Sequence, residues 1–246
     1  MNRETSVLLA RIDDAIRLSS VRNIPKFVGF LNDIEVSQVI EYVNNKARYK
    51  LFGGYNGAER LMFCALPDWA EDAPFPITRL TFKYRKVDKL THRDFLGNIM
   101  SLGITRESVG DILVVEGQTV VFIHNDVLNY VTTQITKVGG VGVDIDINST
   151  DDFKCQDDSK EIRTTVASAR LDAIVAHLVG VSREKANEQI RVGNVLVNQR
   201  ICQNNSQKIS ENDQITIRRK GKYYIKNMSE TTKKGRIILV ADYKGS

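Results

Sequence analysis

The side chains best suited to chemistry in this sequence are the lysines and arginines of its last third. Residues 163–246 hold 16 basic and 7 acidic residues, a balance of +9, whereas residues 1–162 hold 19 basic and 23 acidic residues, a balance of −4. Clustered Lys and Arg side chains bind phosphates and release the counterions around a nucleic acid. The charge pattern therefore predicts that this third binds a polyanion, and a solvated basic face is the alternative at this point.

Two short helices and a hairpin are predicted to position these cations. Residues 169–178 place apolar side chains such as Leu171 and Ile174 at helical spacing. Ser182 is a good N-cap for a second helix, and Gly193 can end it. Residues 195–197 predict a short strand, and residues 208–218 predict a turn followed by a strand. The basic side chains would then lie on the helix surface and in the hairpin.

Residues 170–218 resemble the S4 RNA-binding domain in both order and spacing. The similarity rests on four groups of residues: Arg170-Leu171-Asp172; Ser182, Arg183 and Ala186; Ile190, Gly193, Val195, Val197 and Asn198; and Asp213, Ile215, Ile217 and Arg218.

The resemblance implies two helices packed on a small sheet, an αL-type fold whose basic face binds structured RNA. It implies a structural role for Asp172, which would hold an arginine or a cap. Tyr223 and Tyr224 could stack on unpaired bases, but strand alternation would bury one of the two rings. The implied RNA-binding residues, with their basic neighbours, are Arg170, Ser182, Arg183, Lys185, Arg191, Asn198, Arg200, Lys208, Arg218, Arg219, Lys220 and Lys222.

The rest of the chain predicts an α+β protein of several parts. Residues 1–72 are predicted to form a small, mostly helical unit, and residues 151–162 an acidic linker before the S4 domain and its C-terminal strands at 163–246. Residues 73–150 predict a ferredoxin-like, RRM-like domain of order β-α-β-β-α-β. Its elements are strands at 78–84, 111–116, 119–124 and 138–147, and helices at 92–102 and 125–136. A scaffold or docking domain is the alternative to RNA binding here, since the aromatic RNP signature is missing.

The layout of the whole chain resembles the YlmH family of Gram-positive bacteria, which combines these three parts. The resemblance is carried by residues 51–63, LFGGYNGAERLMF, and residues 91–112, THRDFLGNIMSLGITRESVGDI. It implies a monomer that binds the large ribosomal subunit through 23S rRNA and stalled peptidyl-tRNA, in ribosome-associated quality control with other quality-control or division proteins. The alternative is a protein-interaction module of the cell-division machinery, in which RNA binding is incidental.

No enzyme is predicted, and neither a metal nor a cofactor. The three histidines, His92, His124 and His177, have no nucleophile or ligand at a useful spacing, and the only R-L-D motif belongs to the S4 pattern. An RNA-modifying enzyme with an unrecognised site is a third alternative. Three scattered cysteines, and apolar runs too short to span a membrane, predict a cytoplasmic protein without membrane insertion.

One feature of the N-terminal part is a candidate docking patch for rRNA or tRNA. Gly53 and Gly54 would permit close approach of a backbone, and Tyr55 and Arg60 would contact the RNA, with Arg60 on a phosphate. The alternative is a tight turn held by an ion pair between Glu59 and Arg60.

Overall fold

The computed structural model describes residues 3–44, 46–148, 160–218, 220–228, 231–232 and 235–244. The chain divides into two compact units, Met1–Gln156 and Asp157–Ser246, here called unit 1 and unit 2.

Unit 1 begins with two helices and a three-stranded antiparallel sheet of order β1-β3-β2. Asn32 caps α2, because its Oδ1 accepts hydrogen bonds from the Ile34 and Glu35 amides, and the Glu35 carboxylate accepts one from the Asn32 amide. Buried side chains of both helices, such as Ile12 and Val39, pack on Phe63 of the sheet. The elements are α1 Arg3–Arg22, β1 Lys26–Leu31, α2 Asp33–Val43, β2 Tyr49–Phe52 and β3 Leu61–Ala65.

Residues 1–72 contain helices, as expected of a helical unit, together with a three-stranded sheet that its description as mostly helical did not include. Strand β1 is covered on both sides: Val28 and Leu31 pack towards the helices, and Phe30 packs in a separate apolar cluster. A strand buried on both faces lacks the alternation of apolar and polar residues that identifies a strand in a sequence.

The second part of unit 1 has the predicted ferredoxin-like topology, with an antiparallel sheet of order β5-β6-β4-β9. Helices α3 and α4 cover one face, where Phe95 and Val131 pack on Leu80 and Val121. The elements are β4 Ile77–Lys83, α3 His92–Ser101, β5 Val109–Val115, β6 Gln118–His124, α4 Leu128–Gln134, β7 Lys137–Val138, β8 Val141–Gly142 and β9 Asp144–Ile147.

Two predicted elements of this part differ from the structure. Residues 138–147 are not one strand, because Gly139 and Gly140 have positive φ and turn the chain between β7 and β8 before β9 begins. Residues 125–136 start with a 3₁₀ turn, and the His124 ring caps that turn by accepting a hydrogen bond from the Asp126 amide.

The two sheets of unit 1 share an apolar cluster. Phe30 and Met62 from the first sheet pack against Val120 and Phe122 from the second, and all four side chains are buried. This packing belongs to one compact unit, so the separate domains 1–72 and 73–150 stay a prediction.

Unit 2 packs two helices on a six-stranded antiparallel sheet of order β10-β15-β14-β13-β11-β12. Its core joins Leu171 and Ile174 of α5 and Ile190 of α6 to Ile215 and Ile225 of the sheet. The elements are β10 Lys160–Val166, α5 Leu171–Leu178, α6 Arg183–Arg191, β11 Val195–Val197, β12 Arg200–Ile201, β13 Gln214–Ile217, β14 Gly221–Asn227 and β15 Ile237–Lys244.

The predicted linker at 151–162 is corrected at its end. Residues 151–159 lie outside the described residues, but residues 160–162 already belong to β10, where they pair with β15. Ile162 and Val166 pack in the core of unit 2, so the strand starts inside the charged stretch from which the linker was predicted.

Candidate nucleic-acid interface

A buried carboxylate organises the first group of cations in unit 2. Asp172, in the first turn of α5, accepts hydrogen bonds from Nε and Nη2 of Arg170 at 3.1 and 3.0 Å, and from Nε of Arg183 at 3.0 Å. The Asp172 side chain is 3% exposed, whereas the side chains of Arg170 and Arg183 are 43% and 54% exposed. The carboxylate therefore holds two guanidinium groups at the surface from the ends of two different helices.

The electrostatics of this group keep Asp172 ionised. Burial of its carboxyl acts to raise the pKa, but the hydrogen bonds from Arg170 and Arg183 outweigh that effect, so the pKa lies below its ordinary value. The same contact raises the pKa of Arg170. Asp172, Arg170 and Arg183, here called the triad, carry a net charge of +1. The guanidinium N–H groups that do not bind Asp172 are available to an anion.

Lys208 is a close neighbour of this triad. Residues Arg170 and Lys208 form a β-bridge, in which the Leu171 amide donates to Gln207 O and the Ile209 amide donates to Ala169 O. Lys208 is exposed. Arg170, Arg183 and Lys208 are here called the triad cations.

A second group of cations lines a groove between α6 and the turn from β13 to β14. Lys185, Arg218 and Lys220, here called the groove cations, line this cavity of about 520 Å³ together with Val179 and Ile217. All three lysine and arginine side chains are exposed, and within the described part of the chain none of them forms an ion pair. Their charge is therefore available to a phosphate backbone.

Ser182 and Arg191 line an adjacent groove with Lys185 and Asn205, of about 600 Å³. The Ser182 hydroxyl caps α6 by accepting a hydrogen bond from the Lys185 amide at 3.3 Å, as the sequence predicted. Glu188 lines both grooves and Glu184 lines this one alone, so this groove is less basic than the groove beside it.

Two asparagines that sequence reasoning missed, Asn187 and Asn205, line the same groove. The side-chain Oδ1 atom of each is buried and makes no hydrogen bond among the described residues. An asparagine in a helix or loop has no pattern that marks it as part of a binding surface.

Three of the predicted RNA-contacting residues do not join these groups. The side-chain amide of Asn198 is used inside the protein, donating to Asp213 Oδ1 at 2.8 Å and accepting from the Gln214 amide at 2.9 Å. Lys222 is buried on a central strand, 8% exposed. Arg200 is exposed on β12, at the edge of the sheet, and Arg219 lies outside the described residues.

Of the two neighbouring tyrosines, only Tyr224 can meet a base. Tyr223 is 3% exposed and its ring packs against Tyr243 with centroids 5.0 Å apart, whereas Tyr224 is 36% exposed on the other face of β14. The strand alternation predicted this difference between the two rings.

The side chains of the candidate docking patch form hydrogen bonds within unit 1. Asp111 accepts hydrogen bonds from the Tyr55 hydroxyl and the Arg60 amide, and the Arg60 guanidinium donates to the carbonyls of Phe30, Val109 and Arg106. A Cβ at Gly53 or Gly54 would lie 2.3 to 2.4 Å from atoms of this unit. The contacts of Tyr55 and Arg60 within unit 1 favour a tight turn at these four residues, held by Asp111 and backbone carbonyls, over a surface that contacts RNA.

Within the described residues, no group of three His, Cys, Asp or Glu side chains is arranged to hold a metal ion. None of the helices described is both long and apolar enough to cross a membrane. His177 is exposed on α5, and its ring is hydrogen-bonded to the Ala173 carbonyl at 2.9 Å and to the Arg236 guanidinium at 3.2 Å.

Comparisons with known proteins find one matching domain family in each unit. Residues 70–152 match the family described as "Putative RNA-binding domain in YlmH", and residues 169–215 match the S4 domain. Neither is an enzyme family. The chain is 30% identical over 186 residues to "Ribosome-associated protein quality control protein P2" of Bacillus subtilis (strain 168), which is 74% of this chain and 72% of that protein.

A solved structure, "Cell division protein ylmH from Streptococcus pneumoniae", matches with a TM-score of 0.54 at 18% identity, over 61% of this chain and 93% of that one. At that identity the likeness shows the fold alone. The relative that shares 30% identity is covered over more than two thirds of its length, and both domain families are present in their expected order. The chain therefore belongs to the YlmH family of RNA-binding proteins with a C-terminal S4 domain.

Proposed function

We propose that this protein binds the large ribosomal subunit in ribosome-associated quality control, through contacts of unit 2 with 23S rRNA and stalled peptidyl-tRNA. The role is binding rather than catalysis, and it would place the protein in the cytoplasm. The observation that carries the proposal is the pair of arginines that Asp172 holds at the surface beside the exposed groove cations. The name of the Bacillus subtilis relative supports the ribosomal partner.

The shape of this surface suits structured RNA. Helical RNA has a major groove too deep and narrow for side chains, so proteins recognise its backbone and shape. The triad cations and the groove cations come from helix ends and turns, which rigid elements hold in place. Because the backbone at these positions is held by helices and paired strands, binding costs the ordering of side chains but not the ordering of a flexible loop.

The cleanest test removes the groove cations with Lys185→Ala, Arg218→Ala and Lys220→Ala in the full chain. Replacing Arg170 and Arg183 instead would leave Asp172 buried without its partners, and a loss of binding could then reflect unfolding. A matched control is Arg17→Ala, Arg22→Ala and Lys46→Ala, which removes three exposed positive charges from unit 1.

The measurement is sedimentation with purified large subunits over a range of salt concentrations, followed by sequencing of the bound RNA. We expect the groove variant to bind at least about tenfold more weakly, and the slope of log K against log salt to fall by about 2 to 3, since each phosphate contact contributes roughly 0.7 to 0.9. The control should bind as the unchanged protein does. A folded groove variant that binds subunits normally would overturn the proposal and favour the cell-division alternative.

A further inference from the structure

We propose that unit 1 carries a second RNA-binding surface, the loop between β4 and α3 with the start of α3, which binds a phosphate backbone through Lys86, Lys89 and Arg93. These residues, 84–93, are here called the basic loop. The inference rests on the proposed function, because it adds a second contact of the same protein with ribosomal RNA.

The sheet face that RNA-recognition folds normally use is closed in this protein. In such folds, bases stack on aromatic side chains of the open sheet face. Here Phe30 and Met62 of the first sheet pack on Val120 and Phe122 of that face, and all four side chains are at most 5% exposed. A base cannot reach these rings without separating the two sheets.

The uncovered edge of the same face is unsuited to RNA because it is acidic. Asp144 and Asp146 alternate on β9 with Ile145, which packs on the helix side of the sheet. Lys83 pairs with one of these carboxylates, that of Asp146, at 2.7 Å. Phosphates would meet carboxylates there, which favours another part of the ferredoxin-like fold as the RNA-binding surface.

The basic loop concentrates positive charge in an otherwise acidic part of the chain. It holds four Lys and Arg residues and one Asp. The single acid, Asp88, is neutralised by Arg85, whose Nε and Nη2 donate to its two oxygens at 2.8 and 3.0 Å. Lys86, Lys89 and Arg93 are exposed, and among the described residues none of the three forms an ion pair.

Contacts at both ends hold the basic loop in place. At its start, the Tyr84 amide donates to the Gly117 carbonyl at 3.0 Å, and the Tyr84 hydroxyl lies 3.0 Å from that of Thr119. At its end, Leu90 is buried in the helix-covered core, and Thr91 donates twice to Asp94 at the start of α3. Because the backbone of the basic loop is held at both ends, RNA binding would order the three side chains without having to order the loop as well.

RNA is the partner that these observations favour over an acidic protein. The family that covers residues 70–152 is described as RNA-binding. Val87 is the one apolar side chain exposed at the tip of the basic loop, which leaves no apolar core of the kind that protein interfaces contain.

The test uses Lys86→Ala, Lys89→Ala and Arg93→Ala in the full chain, with Arg17→Ala, Arg22→Ala and Lys46→Ala as the matched control. Binding to purified large subunits is measured against salt concentration, and hydroxyl-radical footprints of the bound RNA are compared with those of the groove variant. We expect the loop variant to bind several-fold to about tenfold more weakly, with a salt slope lower by about 2 to 3. It should lose protection at nucleotides that the groove variant still protects.

The outcomes separate this inference from the proposed function. A loop variant with the affinity, slope and footprint of the control, beside a groove variant that has lost binding, would overturn the second surface and leave the proposed function intact. An acidic protein would then be the partner to seek for the basic loop. If neither variant changes binding, the proposed function fails together with the inference.

Discussion

Two pairs of arginines in this protein have opposite roles. In unit 2, Asp172 is buried, and Arg170 and Arg183 reach it from the surface, so that about half of each guanidinium side chain stays exposed. In unit 1, Arg60 and Arg106 are themselves half-buried and donate to backbone carbonyls. The first pair presents charge to a ligand, and the second holds chain segments together.

The pKa values of three of these arginines shift, and in opposite directions in the two units. Arg170 has a raised pKa because of the Asp172 carboxylate. Burial lowers the pKa of Arg60, and burial together with the charge of Arg60 lowers that of Arg106 to about 10. An arginine in a basic sequence can therefore bind a ligand only where its contacts inside the protein leave the outer side of its guanidinium group free.

The largest expected effect comes from removing the arginines that support Asp172. The double change Arg170→Ala and Arg183→Ala leaves a buried carboxylate without its partners, a kind of change that destabilises by about 3 kcal/mol. Hydrogen exchange of α5 and α6, followed by mass spectrometry, should show faster exchange in unit 2 than in the unchanged protein.

The control adds Asp172→Asn to the double variant. Because an amide is neutral, part of the lost protection in α5 and α6 should return, while binding to large subunits stays weak. If the triple variant exchanges as fast as the double variant, Asp172 is not the reason for the instability and the comparison of the two arginine pairs fails in unit 2.

The next largest effect tests the other pair through Arg60→Ala. This change removes a donor from the carbonyls of Phe30, Val109 and Arg106, of which Val109 still accepts from Arg106, and we expect a cost of about 2 kcal/mol in total. The fluorescence of the only tryptophan, Trp69 in unit 1, should report a lower denaturant midpoint. Binding to large subunits should not change under native conditions, and a selective loss of binding by a folded variant would restore Arg60 to the RNA surface.

Acid should act on unit 2 through Asp172. Its pKa in the folded protein lies below the ordinary value of 3.8, so its ionised form stabilises the fold above that pH, and this stabilisation is lost as the pH falls through the folded pKa. The difference in unfolding free energy between the unchanged protein and Asp172→Asn should therefore be constant near neutrality and shrink below about pH 4. A difference that grows on acidification would contradict the role assigned to the carboxylate.

The helices of unit 2 could be predicted because their signals are local. Ser182 caps α6 as expected, and Gly180 and Gly193 take positive φ after the two helices. The structural role of Asp172 followed from the S4 resemblance, and the structure shows its two arginine partners. These features depend on residues within a few positions of one another, or on a motif of fixed spacing.

The features that the sequence could not predict depend on distant neighbours. Lys222 is buried on β14 beside its pairing partner Thr216 of β13, which is buried too, and its other pairing strand, β15, follows only after residues 228–236. Arg60 donates to the carbonyls of Phe30, Arg106 and Val109, which lie 30, 46 and 49 positions away from it in the sequence. A run of basic residues in the sequence does not show which side chains are buried or bound by distant residues and which stay exposed.

The smallest expected effect comes from comparing Lys185→Ala with Arg200→Ala. This comparison tests whether the location of an exposed cation, and not its exposure alone, decides its contribution to RNA binding. Both side chains are exposed cations of unit 2, but Lys185 lies between the two grooves, whereas Arg200 lies at the edge of the sheet. If placement decides, Lys185→Ala should lower the salt slope of large-subunit binding by about 0.7 to 0.9, the share of one phosphate contact, and Arg200→Ala should leave it unchanged. Equal slopes for the two variants would mean that the interface is a diffuse basic surface, in which a cation acts by its charge and not by the elements that hold it.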